Sequence, residues 1–228
     1  MRILNELDNG LQSYATMDQR QREIHRAVSE GREESTLLIW QAESTYTAGR
    51  NTKAVDIISD EIPVIETDRA GSVTWHGPGQ LIVYPIVKLA EPIDTLRYIR
   101  SVEASVLTVL GENYDLPVER IQDRAGVWLR NPDRKISAIG LKISRGATMH
   151  GISLNVTTDP NTSFTGIIPC GINDAAVTSM AEEGVTDLAV ADLVDPLVAE
   201  LTERLTPLID PVYSTTAETQ QSLQPHHS

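Results

Sequence analysis

The sequence predicts a single α/β domain of the α+β kind, built on a mixed, largely antiparallel sheet flanked by helices. Helical and strand-like segments are interspersed along 228 residues. Several of the strands follow one another too closely for helical crossovers, which favours antiparallel pairing. No stretch is rich enough in Gly, Ser or Pro to mark a linker, so one domain over residues 1–212 is the economical reading. Residues 213–228, ending Gln224-Pro225-His226-His227-Ser228, are expected to be a disordered tail.

Leu11 to Glu30 lacks Gly and Pro and spaces Tyr14, Met17, Ile24 and Val28 as an amphipathic helix would, with Gly31 to end it. Thr36 to Trp40 reads as a buried strand, Ile62 to Thr67 as a short one, and Gln80 to Leu89 as a third. Leu96, Ile99, Val102, Val106 and Leu110 predict a second helix, closed by Gly111. Val127 to Arg130, Lys135 to Ser144 and Ala147 to Val156 read as three strands, the first two joined by an Asn131-Pro132-Asp133 turn. Asp187 to Leu205 predicts a third helix, interrupted or kinked at Pro196.

Composition is that of an ordinary globular protein, 40% hydrophobic and 22% charged. A net charge of −13 argues against nucleic-acid binding, which needs clustered Lys and Arg to neutralise phosphates. No segment has the run of about 18 apolar residues that a membrane span requires. Met1 to Asp8 lacks an apolar run behind a basic start, and the single cysteine allows no internal disulfide, so the expected location is the cytoplasm. Charge is uneven. Glu182 to Ser228 holds nine acids against Arg204, whereas Glu119 to His150 holds seven bases and three acids. That basic surplus is either a docking face for an acidic partner or a solvated strand pair.

Three segments can carry chemistry. Arg69 to Gln80 packs three glycines, Thr74 and His76 into twelve residues, and glycines let a ligand approach the main chain. It is no phosphate loop, because no Gly-Lys-Ser/Thr follows. Arg145 to Asn155 contains His150-Gly151. Two separated histidines and one cysteine make a zinc site improbable, so His76 and His150 read as hydrogen-bonding wall residues. The third segment, Pro169-Cys170-Gly171, presents the one thiol. A free cysteine is ordinarily an inert buried residue; a nucleophilic one needs a base or positive charge beside it. His76, His150, Lys135 and Lys142 are the candidates. Strict alternation places Lys135 with Ser137, Ile139, Leu141 and Ile143, and Lys142 with Ile136, Ala138, Gly140 and Ser144. Lys135 thus shares the bulkier apolar face, and a lysine deprived of water can serve as a base.

Side by side, these motifs resemble the octanoyl-[acyl-carrier-protein]:protein octanoyltransferases, the B-type lipoyl(octanoyl) transferases of the lipoate pathway. The matching parts are Arg69-x-Gly71-x-x-Thr74-x-His76-Gly77-Pro78-Gly79-Gln80 with Tyr84-Pro85, Arg134-Lys135-Ile136-x-x-Ile139-Gly140, Arg145-Gly146 with His150-Gly151 and Leu154-Asn155, and Pro169-Cys170-Gly171. The resemblance implies a biotin/lipoate protein ligase-like catalytic domain. It also implies transfer of an octanoyl (or lipoyl) group from acyl carrier protein to a lysine of lipoyl domains, those of 2-oxoacid dehydrogenase E2 subunits and glycine cleavage H protein. In that family the positions of Cys170 and Lys135 carry the acyl group and assist it. The substrate-contacting positions are Arg69, Ala70, Gly71, Ser72, Val73, Thr74, Trp75 and His76, then Ala138, Ile139 and Gly140, and Gly151, Ile152 and Ser153. Thioester to amide is downhill, so neither ATP nor a metal is expected as cofactor.

The sequence departs from the family pattern at Ala70, where a second glycine is usual, at Ser153, where alanine is usual, and at Lys142, where arginine is usual. Two rival readings remain open: an ATP-dependent lipoate ligase of the same fold, with Cys170 dispensable, and a noncatalytic lipoyl-domain or acyl-chain binding module.

Overall fold

The computed structural model describes residues 1–59, 61–169 and 175–213. Cys170 and Gly171, and the expected tail apart from Tyr213, lie outside the described residues. Tyr213 itself closes a 3-10 turn over Pro211–Tyr213.

Among the described residues there are twelve strands and four α-helices. In chain order they are β1 (Arg2–Asn5), β2 (Leu11–Gln12), α1 (Tyr14–Ser29), β3 (Thr36–Ala42), β4 (Thr45–Ala48), β5 (Val64–Glu66), β6 (Thr74–His76) and β7 (Gln80–Ile86). Then come α2 (Thr95–Tyr114), β8 (Glu119–Ile121), β9 (Arg124–Leu129), β10 (Arg134–Ser144), β11 (Ala147–Asn155), α3 (Pro160–Ser163), β12 (Ala176–Val177) and α4 (Val194–Leu205). The main sheet runs β1-β3-β7-β11-β10-β9-β8, with β2 on β3 and β12 on β10. The β3–β7–β11–β10–β9–β8 pairings are antiparallel; β1–β3, β2–β3 and β10–β12 are parallel. A second sheet has the order β5-β4-β6.

The main sheet is covered on both sides, which explains why its central strands read as continuous apolar runs. On β3, Leu37 and Ile39 enter the core beneath α2 and α4, whereas Leu38 and Trp40 enter the core beneath α1. On β7, Leu81 and Val83 face the first core and Ile82, Tyr84 and Ile86 the second. Fully burying each such side chain contributes about 1.5–3 kcal/mol. A third cluster, Tyr46, Val73, Trp75, Phe164 and Ile167, packs under the small sheet.

Three boundary expectations are corrected. The first helix begins at Tyr14 because Leu11 and Gln12 pair with Gln41 and Ala42 as a strand. Gly111 does not close α2, which continues to Tyr114 and ends where Asp115 turns left-handed at φ 53°. A helical glycine costs about 1 kcal/mol against alanine, and the burial of Val106, Val109 and Leu110 around it offsets that cost. Pro196 does not kink the last helix. A 3-10 turn, Val190–Leu193, precedes α4, and Pro196 falls in the first turn, where the N–H groups have no partner within the helix. Gly31 stops α1 as expected, at φ 72°.

Candidate active site

Between the two sheets the structure encloses a cavity of about 350 Å³. One wall is the β10–β11 pair, where Ala138 opposes Ser153 and Gly140 opposes Gly151. Small residues at both rungs leave room above the sheet. Gly151 is needed as well for the approach of β7, since a Cβ there would stand 2.6 Å from Val83 O and from Pro85 Cδ. The opposite wall is the segment from Arg69 through β6, and Tyr84 and His150 close the inner end. The rim is formed by Asp123, Arg124 and Ala125 at the start of β9.

Lys135 borders this cavity and is 8% exposed. Its Nζ lies 4.5 Å from the centre of the Trp128 ring, within the range of a cation–π contact. Simple strand alternation fails here. A register shift between Lys135 and Ser137 on β10 inserts a residue against β9, and a bulge of that kind re-aims the side chains on one side of it. Ile136 and Leu141 enter the core beneath α2 and α4. Lys135 instead shares the cavity with Ala138 and Gly140, not the apolar face of Leu141 that strict alternation assigns to it. Gly126 makes the bulge possible: at φ 124° its missing Cβ would stand 2.5 Å from Ser137 O.

Cys170 lies outside the described residues, but its chain neighbours do not. Pro169 lines a narrow cleft together with Lys135, Ala138, Ser153, Thr74 and Phe164. After the undescribed segment, β12 pairs Ala176 with Arg134 and Val177 with Lys135, and Thr178 N donates to Lys135 O at 2.9 Å.

Of the fourteen residues expected to contact substrate, the structure gathers twelve on the cavity: Arg69, Ala70, Gly71, Ser72, Thr74, His76, Ala138, Ile139, Gly140, Gly151, Ile152 and Ser153. Val73 and Trp75 point the other way, into the Tyr46–Phe164 cluster, with the Trp75 and Phe164 ring centres 5.6 Å apart. The cause is the period of two along β6 and its approach, which sends Thr74 and His76 to one face and Val73 and Trp75 to the other. Residues that sequence reasoning did not assign to the site are Tyr84, Asp123, Arg124 and Ala125. Tyr84 stood in the quoted Tyr84-Pro85 motif; the other three had no local signal and reach the rim through the β8–β9 turn.

The two histidines are wall residues with committed rings. Gln80 Nε2 donates to Asn155 Oδ1 at 2.9 Å and to Trp75 O at 3.2 Å, so its Oε1 accepts from His76 Nδ1 at 2.7 Å. Asn155 Nδ2 in turn donates to Thr178 O at 2.9 Å, which ties the first two motifs to the chain just after β12. Burial pushes His76 down to about 3, against the opposing Gln80 bond. His150, at φ 59°, sits in a left-handed conformation that costs a non-glycine residue roughly 1–2 kcal/mol. Gln21 Oε1 accepts from its N–H at 3.0 Å and Gln21 Nε2 donates to its Nδ1 at 3.2 Å. Its Nε2 therefore carries the proton given to Asp68 Oδ1 at 2.9 Å. Burial lowers the pKa of His150 and the Asp68 bond only partly opposes this.

This arrangement has a pH consequence. The folded pKa of His76 lies below its unfolded value near 6.5, so the unfolded chain binds more protons in between. The stability that neutral His76 contributes is complete above about 6.5 and is lost as pH falls toward 3. We expect the melting temperature to drop across that interval, and His76→Gln to flatten the drop; an equally steep profile in the variant would exclude His76 as the cause.

The basic surplus of Glu119 to His150 is largely neutralised within the molecule. Arg134 Nε and Nη2 both reach the Glu183 carboxylate at 2.7 Å, Arg120 Nε reaches the buried Glu103 at 3.0 Å, and Lys142 Nζ reaches Asp68 at 2.7 Å. Charge reversal at Arg134 would therefore break the fold's own ion pair before it tested any docking face. Among the described residues, no three His, Cys, Asp or Glu side chains gather to hold a metal, and no helix is long and apolar enough to cross a membrane.

Residues 13–202 match the family model of the lipoyl protein ligase A/B catalytic domain. A protein of Salinispora arenicola named octanoyltransferase is 42% identical over 193 residues, covering 83% of this chain and 90% of the relative. Its namesake from Mycobacterium tuberculosis is 46% identical over 175 residues, covering 76% of this chain and 75% of the relative. Among solved structures, lipoate-protein ligase A bound with ATP superimposes with a TM-score of 0.69 at 17% identity, over 97% of this chain and 91% of that one. The bipartite lipoate protein ligase of Thermoplasma acidophilum gives 0.68 at 16%, over 97% and 89%. At such low identity these two establish the shared fold alone.

Proposed function

As the chain belongs to the octanoyltransferases of the lipoyl protein ligase A/B catalytic family, we propose that it works through a Cys170 thioester with Lys135 as the proton acceptor. The enzyme is an acyltransferase that moves an octanoyl group in protein lipoylation, and its protein substrates are lipoyl domains. In our reading the donor is octanoyl-acyl carrier protein and the acceptors are a lysine on the lipoyl domains of E2 subunits and on the glycine cleavage H protein. The reaction needs neither ATP nor metal, and its setting is the cytoplasm.

The observation that carries this reading is the position of Lys135 on the wall of the cavity, beside the residues that flank Cys170 in the chain. Pro169 shares a narrow cleft with Lys135, and Val177 pairs with Lys135 through β12. Both ring nitrogens of His150 are bonded, His76 is buried with Gln80, and Lys142 Nζ is held by Asp68 at 2.7 Å.

Lys135 Nζ takes the thiol proton, and Cys170 Sγ attacks the thioester carbonyl carbon. The tetrahedral adduct collapses by breaking the bond to the carrier sulfur, which leaves with the proton returned by Lys135. A lipoyl-domain amine then attacks the Cys170 thioester, gives its extra proton to Lys135, and displaces Cys170 Sγ. The octanoyl group ends as an amide, with thiol and base restored.

Incubating the protein with octanoyl-acyl carrier protein and a lipoyl domain tests the reading. We expect the lipoyl domain to gain one octanoyl group by intact mass, at a rate unaltered by ATP or chelator. A strict requirement for ATP, or no product at all, would reject it.

A further inference from the structure

Asp68 is no part of the cavity wall, yet two strands that build the wall, β10 and β11, and the helix α1 converge on its carboxylate. From α1, Arg22 Nη1 donates to Oδ2 at 2.9 Å and Nη2 to Oδ1 at 3.3 Å. From β10, Lys142 Nζ donates to Oδ2 at 2.7 Å, and from β11 His150 Nε2 donates to Oδ1 at 2.9 Å. Arg22 is itself braced by Asp18 on the preceding turn, Nε to Oδ2 at 2.7 Å. The residue after Asp68 opens the segment that roofs the cavity, and Ala70 N donates to Leu141 O at 3.0 Å, seating that segment on β10. Four donor bonds from three elements onto one carboxylate are more than an exposed ion pair provides; hydrogen-bonded charges of this kind form an interdependent network.

We propose that Asp68 is a positioning residue for octanoyl transfer: its carboxylate orients the His150 ring by accepting its Nε2–H and ties the roof segment to β10 and α1. The acyl-binding cavity then stands formed before substrate arrives. The geometry at His150 carries this most directly: at a left-handed backbone position, its N–H is held by Gln21 and its ring by Gln21 and Asp68. Released from Asp68, the imidazole loses that acceptor for its Nε2 proton, and the roof loses its ion pair with Lys142, so that on β10 it rests on the Ala70–Leu141 backbone bond. The chemistry at Cys170 and Lys135 is untouched, so the change falls on the fraction of molecules with a formed cavity. If that fraction drops to about a tenth, the apparent affinity for the acyl donor falls about tenfold.

The inference rests on the octanoyl-transfer reading above, and wild-type turnover tests that reading by itself. Kinetics are measured on the full chain with octanoyl-acyl carrier protein and saturating lipoyl domain, and the ring nitrogens of His150 are followed by 15N spectra that need no turnover. For Asp68→Asn we expect KM for the donor to rise about tenfold with kcat changed by no more than about threefold, together with a shift of the His150 Nε2–H signal as it loses its charged acceptor. A lower melting temperature with KM and the His150 signature unchanged would make Asp68 merely structural and overturn the proposal. Should Asp68→Asn fail to fold, Lys142→Met decides: a raised KM that Lys142→Arg restores supports the proposal, and a KM equal to wild type overturns it.

Discussion

Cys170→Ala leaves the protein folded and its cavity intact, but removes both the octanoyl adduct and turnover. The expected loss in kcat is roughly four to six orders of magnitude, the scale on which an enzyme loses one member of a nucleophile–base unit. The measurement is intact mass after incubation with octanoyl-acyl carrier protein, read before any lipoyl domain is added. A wild-type adduct absent from the variant is the expected pair of results. If the variant still octanoylated lipoyl domains at a comparable rate, direct transfer from donor to acceptor would replace the covalent route, and Cys170 would return to the ordinary standing of a lone cysteine.

Lys135→Met is expected to lower kcat by about 10²- to 10⁴-fold, the usual contribution of a general base, while leaving donor KM near the wild-type value. The methionine keeps the length that packs over Trp128, whose ring lies under Nζ at 4.5 Å. Without a base, the sulfur must ionise unaided, and an ordinary thiol does so near 8.5. Adduct formation by the variant should therefore climb with pH through that value, whereas the wild type should not follow the same curve. Combining Lys135→Met with Cys170→Ala should cost no more than Cys170→Ala alone, because the pair acts as a unit. A variant as fast as wild type at neutral pH would remove Lys135 from the mechanism.

Much of this site was legible in the order of the motifs. Arg69 to Gln80 is far in the chain from Lys135 to Gly140 and His150 to Asn155, and the structure brings all three to one cavity through the β10–β11 pairing and the Gln80–Asn155 bond. What misled was local regularity. Strict alternation assigned Lys135 to the bulkier apolar face, but the bulge opposite β9 puts it on the cavity side with Ala138. Alternation at Val73 and Trp75, which the motif had included among substrate contacts, instead holds and turns both toward Phe164. A bulge is set by how two strands fit, so the lysine strand alone carries no mark of it.

Charge reading met the same boundary. The surplus of Arg and Lys between Glu119 and His150 is real in the sequence. Its meaning depends on Glu183 and Glu103, which come from other parts of the chain and take up Arg134 and Arg120. Asp68 gave no signal of its own beyond standing next to Arg69, because its partners Arg22, Lys142 and His150 are 46, 74 and 82 residues away.

The sequence by itself determined the class of fold, the position of the three long helices and of six strands, and the family, since these follow from residue type, period and motif order. Only the tertiary structure decided which face Lys135 takes, which partners His76, His150 and Lys142 hold, and which residue ties the cavity together. Those depend on strand register and on pairings between distant side chains, and neither is written in any one segment.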